Sequence, residues 1–103
     1  MGYNKLVRDK IPDIIKHNDG KKAVIKILDK KEYLIELNKK LQEELSEYLV
    51  SEDIEELADL EEVLRAILEL KQVSYEEFEK IRLSKVEKRG SFKDRIYLVG
   101  TEE

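Results

Sequence analysis

Leu34, Leu37, Leu41, Leu45 and Tyr48 recur at steps of three and four, and Leu60, Val63, Ile67 and Leu70 repeat those steps further along the chain. That spacing follows the 3.6 residues of a helical turn, so each run predicts an amphipathic helix with one apolar stripe. A second apolar line, Ile54, Leu57, Leu64 and Leu68, lies beside the later stripe and predicts an unusually wide buried face on that helix. Two helices of this kind, close in sequence, commit the chain to helix-on-helix packing.

Cap signals divide the rest. Asp9 as N-cap, Pro12 in the first turn and Gly20 at the close predict a short first helix with Ile11, Ile14 and Ile15 on its buried side. Asp29 and Glu32 form a capping box that starts the second helix, which runs to about Val50. Ser51 is the expected cap of the third, with Glu52, Asp53 and Glu55 near its positive end. After a brief break at Gln72-Val73, Ser74 and Glu77 form another capping box, and Tyr75, Phe78 and Ile81 line the inner face of a fourth helix that ends near Gly90. Ala23–Leu28 and Arg95–Val99 are the only β-branched, aromatic-rich runs and are expected to be short strands that pair. The expected fold is therefore all-α, a compact four-helix bundle with two short strands at 23–28 and 95–99, and residues 1–103 form one domain.

At 103 residues a single core is the limit, burying about 60 to 65% of the unfolded surface. The absence of cysteine excludes disulfides, thiolate metal sites and a cysteine nucleophile. The opening Met-Gly-Tyr-Asn-Lys-Leu-Val-Arg-Asp-Lys has no apolar stretch of signal-peptide length, so a cytoplasmic location and no membrane contact are expected. A net charge of -4 disfavours a large surface for duplex nucleic acid, leaving small molecules and copies of the chain as expected partners. His17, the only histidine, falls at the polar end of the first helix, where a helix-dipole or solvent role is expected.

Two acidic pairs carry the chemistry. Glu44 and Glu47 lie three apart beside the Leu37/Leu41/Leu45 stripe, and Glu56 and Asp59 repeat that spacing at the head of the Leu60/Val63/Ile67/Leu70 stripe. Carboxylates held against an apolar stripe become protonated, pair with a base or bind a cation. Four facing acids on two antiparallel helices suit a hard divalent ion such as Mg²⁺, with Mn²⁺ as the alternative. The competing reading is a solvated acidic face in a Glu-rich chain. Arg82, Lys85 and Arg89 follow at i, i+3 and i+7 on the fourth helix, aligned with Phe78. They are candidates for phosphate binding or for complementing the helix dipole.

Glu43-Glu44-Leu45-Ser46-Glu47 and Glu56-Leu57-Ala58-Asp59 reproduce an E-E-x-x-E…E-x-x-D pattern. It is joined by Asn4-Lys5-Leu6-Val7-Arg8-Asp9-Lys10-Ile11-Pro12 and Lys88-Arg89-Gly90-Ser91-Phe92 near the two ends. In these features the chain resembles the MazG-like all-α nucleoside triphosphate pyrophosphohydrolases, over nearly its whole length. The resemblance implies Mg²⁺ held by Glu44, Glu47, Glu56 and Asp59, and cleavage between the α- and β-phosphates to give a monophosphate and pyrophosphate. It also makes Arg8 a phosphate-binding candidate beside Lys85, Arg89 and Arg82, with pairing to Asp9 or to a carboxylate of the bundle as the alternative, and implies a homodimer or homotetramer. A carboxylate that does not ligate the ion, Glu43 or Glu47, is the expected proton acceptor. Phosphoribosyl-ATP pyrophosphohydrolases of the same superfamily carry a Tyr-His pair after E-x-x-D, where this chain has Leu60-Glu61-Glu62-Val63. That departure favours nucleotide-pool house-cleaning over histidine biosynthesis. The alternatives are a phosphoribosyl-ATP pyrophosphohydrolase, a non-catalytic helical interaction module, or a nucleotide sensor without turnover.

Overall fold

The structure, a computed structural model, describes residues 4–103. Met1, Gly2 and Tyr3, the start of the opening stretch read above for an apolar leader, lie outside the described residues. Four helices make up the regular structure: α1 (Ile11–Asp19), α2 (Lys30–Ser51), α3 (Ile54–Leu70) and α4 (Tyr75–Arg89). The all-α class is as expected. The chain divides into two units, Met1–Gln72 and Val73–Glu103, each described by itself.

In the first unit, Asp29 starts α2 as its sequence promised: its carboxylate accepts the Glu32 backbone N–H at 2.8 Å. That bond holds the Asp29 carboxyl below its ordinary pKa and satisfies one of the open donors of the first turn. Helix α2 runs through Ser51 and ends where Glu52 turns left-handed at φ 57°, its N–H bonded to the Tyr48 carbonyl at 2.6 Å. Only Glu52 and Asp53 separate α2 from α3, a connection short enough to set the two helices side by side as an αα-hairpin. They pack through the predicted stripes except at Leu45, which is exposed. Leu37 is 2% and Val63 8% exposed, and Leu34, Leu41, Tyr48, Leu60, Ile67 and Leu70 are half-buried.

Several expectations are corrected. The N-cap of α1 is Lys10, not Asp9, because Asp9 and Lys10 form a turn closed by the Ile11 N–H on the Arg8 carbonyl. Gly20 does end α1, at φ 65°, a conformation that suits glycine. Of the three isoleucines expected on its buried side, Ile11 and Ile15 are half-buried and Ile14 is exposed. The N-cap of α3 is Asp53 rather than Ser51. Ser51 is still helical, and its hydroxyl accepts the Asp53 N–H at 3.2 Å. The second apolar line of α3 is covered only at its end: Ile54, Leu57 and Leu64 are exposed and Leu68 is half-buried, since one partner helix covers one face only. No strand forms among the described residues, and the runs 23–28 and 95–99 are irregular.

In the second unit, the Ser74 hydroxyl accepts the Glu77 N–H at 3.1 Å and lies 3.2 Å from the Glu77 carboxylate, the expected capping box of α4. Tyr75 and Phe78 place their rings 6.1 Å apart in a tilted pair, but of the expected inner face only Phe78 is half-buried, Tyr75 and Ile81 being exposed. Gly90 closes the helix through its N–H on the Val86 carbonyl. Among the described residues no helix is long and apolar enough to cross a membrane.

Candidate metal centre

The hairpin of α2 and α3 brings three of the four predicted acids together and leaves Glu47 outside the close group. Glu44, Glu56 and Asp59 each contribute one carboxylate oxygen to a group whose members all lie within 4.8 Å of one another. Glu44 is buried at 7% exposure, and Glu56 and Asp59 are half-buried. The Oε2 atom of Glu44 has no hydrogen-bond partner. A buried polar atom left without a partner carries the full cost of its lost hydration, so this oxygen is the point at which the cluster is electrostatically incomplete.

Burial raises the Glu44 carboxyl above its ordinary pKa. The neighbouring Glu47, with which a protonated Glu44 would share its hydrogen, raises it further, as does Asp59, while Lys40 opposes them. The Glu56 carboxyl is raised first by desolvation and then by Glu47, Asp59 and Asp53. Glu47 therefore stands beside both acids, on the exposed side of the cluster. Clustered carboxylates that suppress one another's ionisation create the field a divalent cation would relieve. An all-oxygen donor set with one buried oxygen unsatisfied fits a hard ion.

Two cations border the cluster. Arg8 Nη2 donates to Asp59 Oδ1 at 2.6 Å, across 51 positions of sequence. Lys40, which sequence reasoning missed, lies 3.4 Å from Glu43 and 3.6 Å from Glu44, with its side chain only 19% exposed. Its position, three residues before Glu43 and four before Glu44, was the available signal. Glu43 is thus engaged with Lys40, whereas no ion pair forms at Glu47 among the described residues.

The other predicted bases belong to α4 in the second unit. Arg82 is paired with Glu79 one turn earlier, its Nε 2.9 Å from the Glu79 carboxylate. The pairing lowers the Glu79 pKa and raises that of Arg82. Lys85 and Arg89 have no ion-pair partner among the described residues. With Lys80, Ile81, Ser84 and Lys88 they line an open depression of about 430 Å³. In comparisons with known proteins, no family model matches the chain, and neither a curated protein nor a solved structure matches it.

Proposed function

We propose that the chain is a MazG-like nucleoside triphosphate pyrophosphohydrolase of the cytoplasm, a single domain that acts in nucleotide-pool house-cleaning. The observation that carries the reading is the convergence of Glu44, Glu56 and Asp59 around a buried carboxylate oxygen that has no partner. Those three residues, with Glu47 beside them, would hold Mg²⁺, or Mn²⁺ in its place. When bound, the ion would neutralise phosphate charge and polarise the attacking water.

The protein's own groups supply the remainder. Glu47 is the better proton acceptor, because it stands at the exposed edge of the cluster with no ion pair among the described residues and would keep one carboxylate oxygen clear of the ion, while Glu43 is held by Lys40. A proton passes from water to the Glu47 carboxylate as the water oxygen bonds to the α-phosphorus. The bond from that phosphorus to the bridging oxygen breaks, and pyrophosphate leaves. Arg8, Lys85 and Arg89 are the phosphate-binding candidates, ahead of Arg82, which is already neutralised by Glu79. Self-association is part of the proposal, supported by the exposed Leu45, Leu49, Ile54 and Leu57 of the hairpin.

The test is pyrophosphate release from a panel of ordinary and damaged nucleoside triphosphates with Mg²⁺, with phosphoribosyl-ATP included. Wild-type release that Glu56→Gln lowers by at least about 10- to 100-fold, the loss seen when even outer partners of a metal ligand are removed, supports the proposal. Release from phosphoribosyl-ATP alone would transfer the activity to that substrate. Binding without turnover would make the protein a sensor, and indifference to nucleotides and Mg²⁺ an interaction module.

A further inference from the structure

Lys40 carries its charge where the helix itself does not call for one. It sits in the middle of α2, beyond the reach of the dipole at either end. It also stands four residues before Glu44, the weaker of the two orders for a helical ion pair. Its side chain is nevertheless only 19% exposed, whereas that of Lys39, paired with Glu36 at 3.0 Å, is 69% exposed. The Lys40 ammonium is held between two carboxylates, 3.4 Å from Glu43 and 3.6 Å from Glu44 Oε1.

The two oxygens of Glu44 are thereby unlike. Oε1 faces Lys40, and Oε2 is buried with no hydrogen-bond partner, on a side chain only 9% exposed. Asp59 is engaged in the same way, since Arg8 takes its Oδ1. Two of the three carboxylates of the close group thus each have one oxygen occupied by a cation of the protein. An acid held so offers an incoming ion a single oxygen and not a chelating pair. Mg²⁺ suits this, because it binds at about 2.0–2.1 Å in octahedral geometry and fills its remaining positions with water. Ca²⁺ takes about six to eight oxygens at about 2.3–2.6 Å and draws on bidentate carboxylates to reach that number. Selection between the two follows from ligand number and from how freely the ligands turn, and the outer partners of a ligand fix that freedom.

We propose that Lys40 is a specificity-determining residue of the metal centre: by occupying Glu44 Oε1 it leaves Oε2 alone to the ion and favours Mg²⁺ over Ca²⁺. The inference rests on the metal-binding reading of the preceding subsection and adds to it which ion the hairpin refuses. Lys40 acts through Glu44 and is in that sense a positioning residue. Its removal frees Oε1 to join Oε2, adding a ligand that the larger ion accommodates and the smaller does not. The loss of its positive charge strengthens the attraction of both divalent ions alike, so that effect cancels in the ratio of their affinities.

The test loads the full-length protein with Mn²⁺ and follows its displacement by MgCl2 and by CaCl2 as free Mn²⁺ in electron paramagnetic resonance. Lys40→Met keeps the aliphatic stem that packs on α2 and removes the ammonium. The expected result is a Ca²⁺-to-Mg²⁺ affinity ratio that rises about tenfold in this variant, the lower end of what losing a ligand's outer partner does to metal affinity. Lys40→Ala raises the ratio likewise. Lys40→Arg, which keeps a cation beside both carboxylates, restores the wild-type ratio, and Lys39→Met leaves it unchanged. An unchanged ratio in Lys40→Met or Lys40→Ala, with both affinities shifted equally, makes Lys40 a counter-charge only and overturns the proposal while the metal centre stands. A ratio moved as far by Lys40→Arg or Lys39→Met overturns it too. A wild type that binds none of the three ions overturns the metal centre itself, and this inference with it.

Discussion

The Arg8 guanidinium holds Asp59 at 2.6 Å, so the segment before α1 places a cation on the rim of the carboxylate cluster of α2 and α3. Arg8 is 59% and Asp59 41% exposed at the side chain, and a pair this open couples weakly, by roughly 0.2 to 1 kcal/mol. Arg8→Ala removes a competitor for Asp59 and is expected to tighten Mg²⁺ binding by the free protein, by no more than about fivefold at the upper end of that range. Calorimetric titration of Mg²⁺ at low ionic strength checks it, and weaker binding in the variant would show that Arg8 orders Asp59 instead of competing for it.

The raised carboxyls of Glu44 and Glu56 make the metal-free protein pH-sensitive in a defined direction. Below the ordinary glutamate value of 4.5 both are protonated whether folded or not, and they cost nothing. As pH rises through their higher folded values, the native state is penalised relative to the unfolded chain. Mg²⁺ binding offsets that penalty, so the ion should raise Tm more at pH 7.5 than at pH 5. Thermal scans at both values with and without Mg²⁺ measure this, and an equal shift would contradict it.

Glu44→Gln separates the two consequences of burying that acid. Without metal at neutral pH the variant should melt a few degrees higher than wild type, because a neutral amide takes the place of a buried, crowded carboxylate; each kcal/mol moves Tm of a domain this size by roughly 4–8 °C. The same variant should lose most of the Mg²⁺-induced stabilisation. Opposite effects of one substitution, with and without the ion, are the signature to look for.

Leu37 is the most deeply buried side chain described, at 2% exposure. Leu37→Ala is expected to cost about 2–5 kcal/mol, since it empties the centre of the contact between α2 and α3. Urea unfolding followed by circular dichroism gives the value directly.

The turn between α2 and α3 is built on a left-handed glutamate, Glu52 at φ 57°. Glu52→Gly relieves an L-residue cost of about 1–2 kcal/mol and loses about 0.5–1 kcal/mol to the freer unfolded chain. The net expectation is a gain of up to roughly 1.5 kcal/mol. Glu52→Val should destabilise, because a β-branched residue tolerates that conformation least.

Much of this was legible in the sequence where the physics is local. The N-caps at Asp29 and Ser74 need only a side chain and an N–H three residues away, and both formed, whereas the Glu32 carboxylate turns to Lys26 and that of Glu77 to the Ser74 hydroxyl. The acidic pairs were visible because i, i+3 spacing fixes a common face and the adjoining apolar stripes point that face toward the partner helix. What escaped was non-local or balanced within a residue or two. Ser51 and Asp53 are both good caps, and only the two-residue connection decides that Ser51 stays in α2. The β-branched runs at 23–28 and 95–99 announce strands, but a strand needs a partner that no single segment encodes. Pairing of Arg8 with a carboxylate of the bundle was one of its two readings, but the choice of Asp59, 51 positions away, is one that no periodicity makes. Arg82, by contrast, could have been set aside from sequence, since Glu79 stands one turn before it.

The central claim is that four acids on one helical hairpin hold a divalent ion. Titrating Mn²⁺ into the protein and following free Mn²⁺ by electron paramagnetic resonance tests it without reference to any substrate. Saturable binding by the wild type that Glu44→Gln and Glu56→Gln each abolish, and that Glu62→Gln on the exposed side of α3 leaves intact, is the predicted result. Binding that is absent from the wild type, or equal in all four proteins, would contradict it.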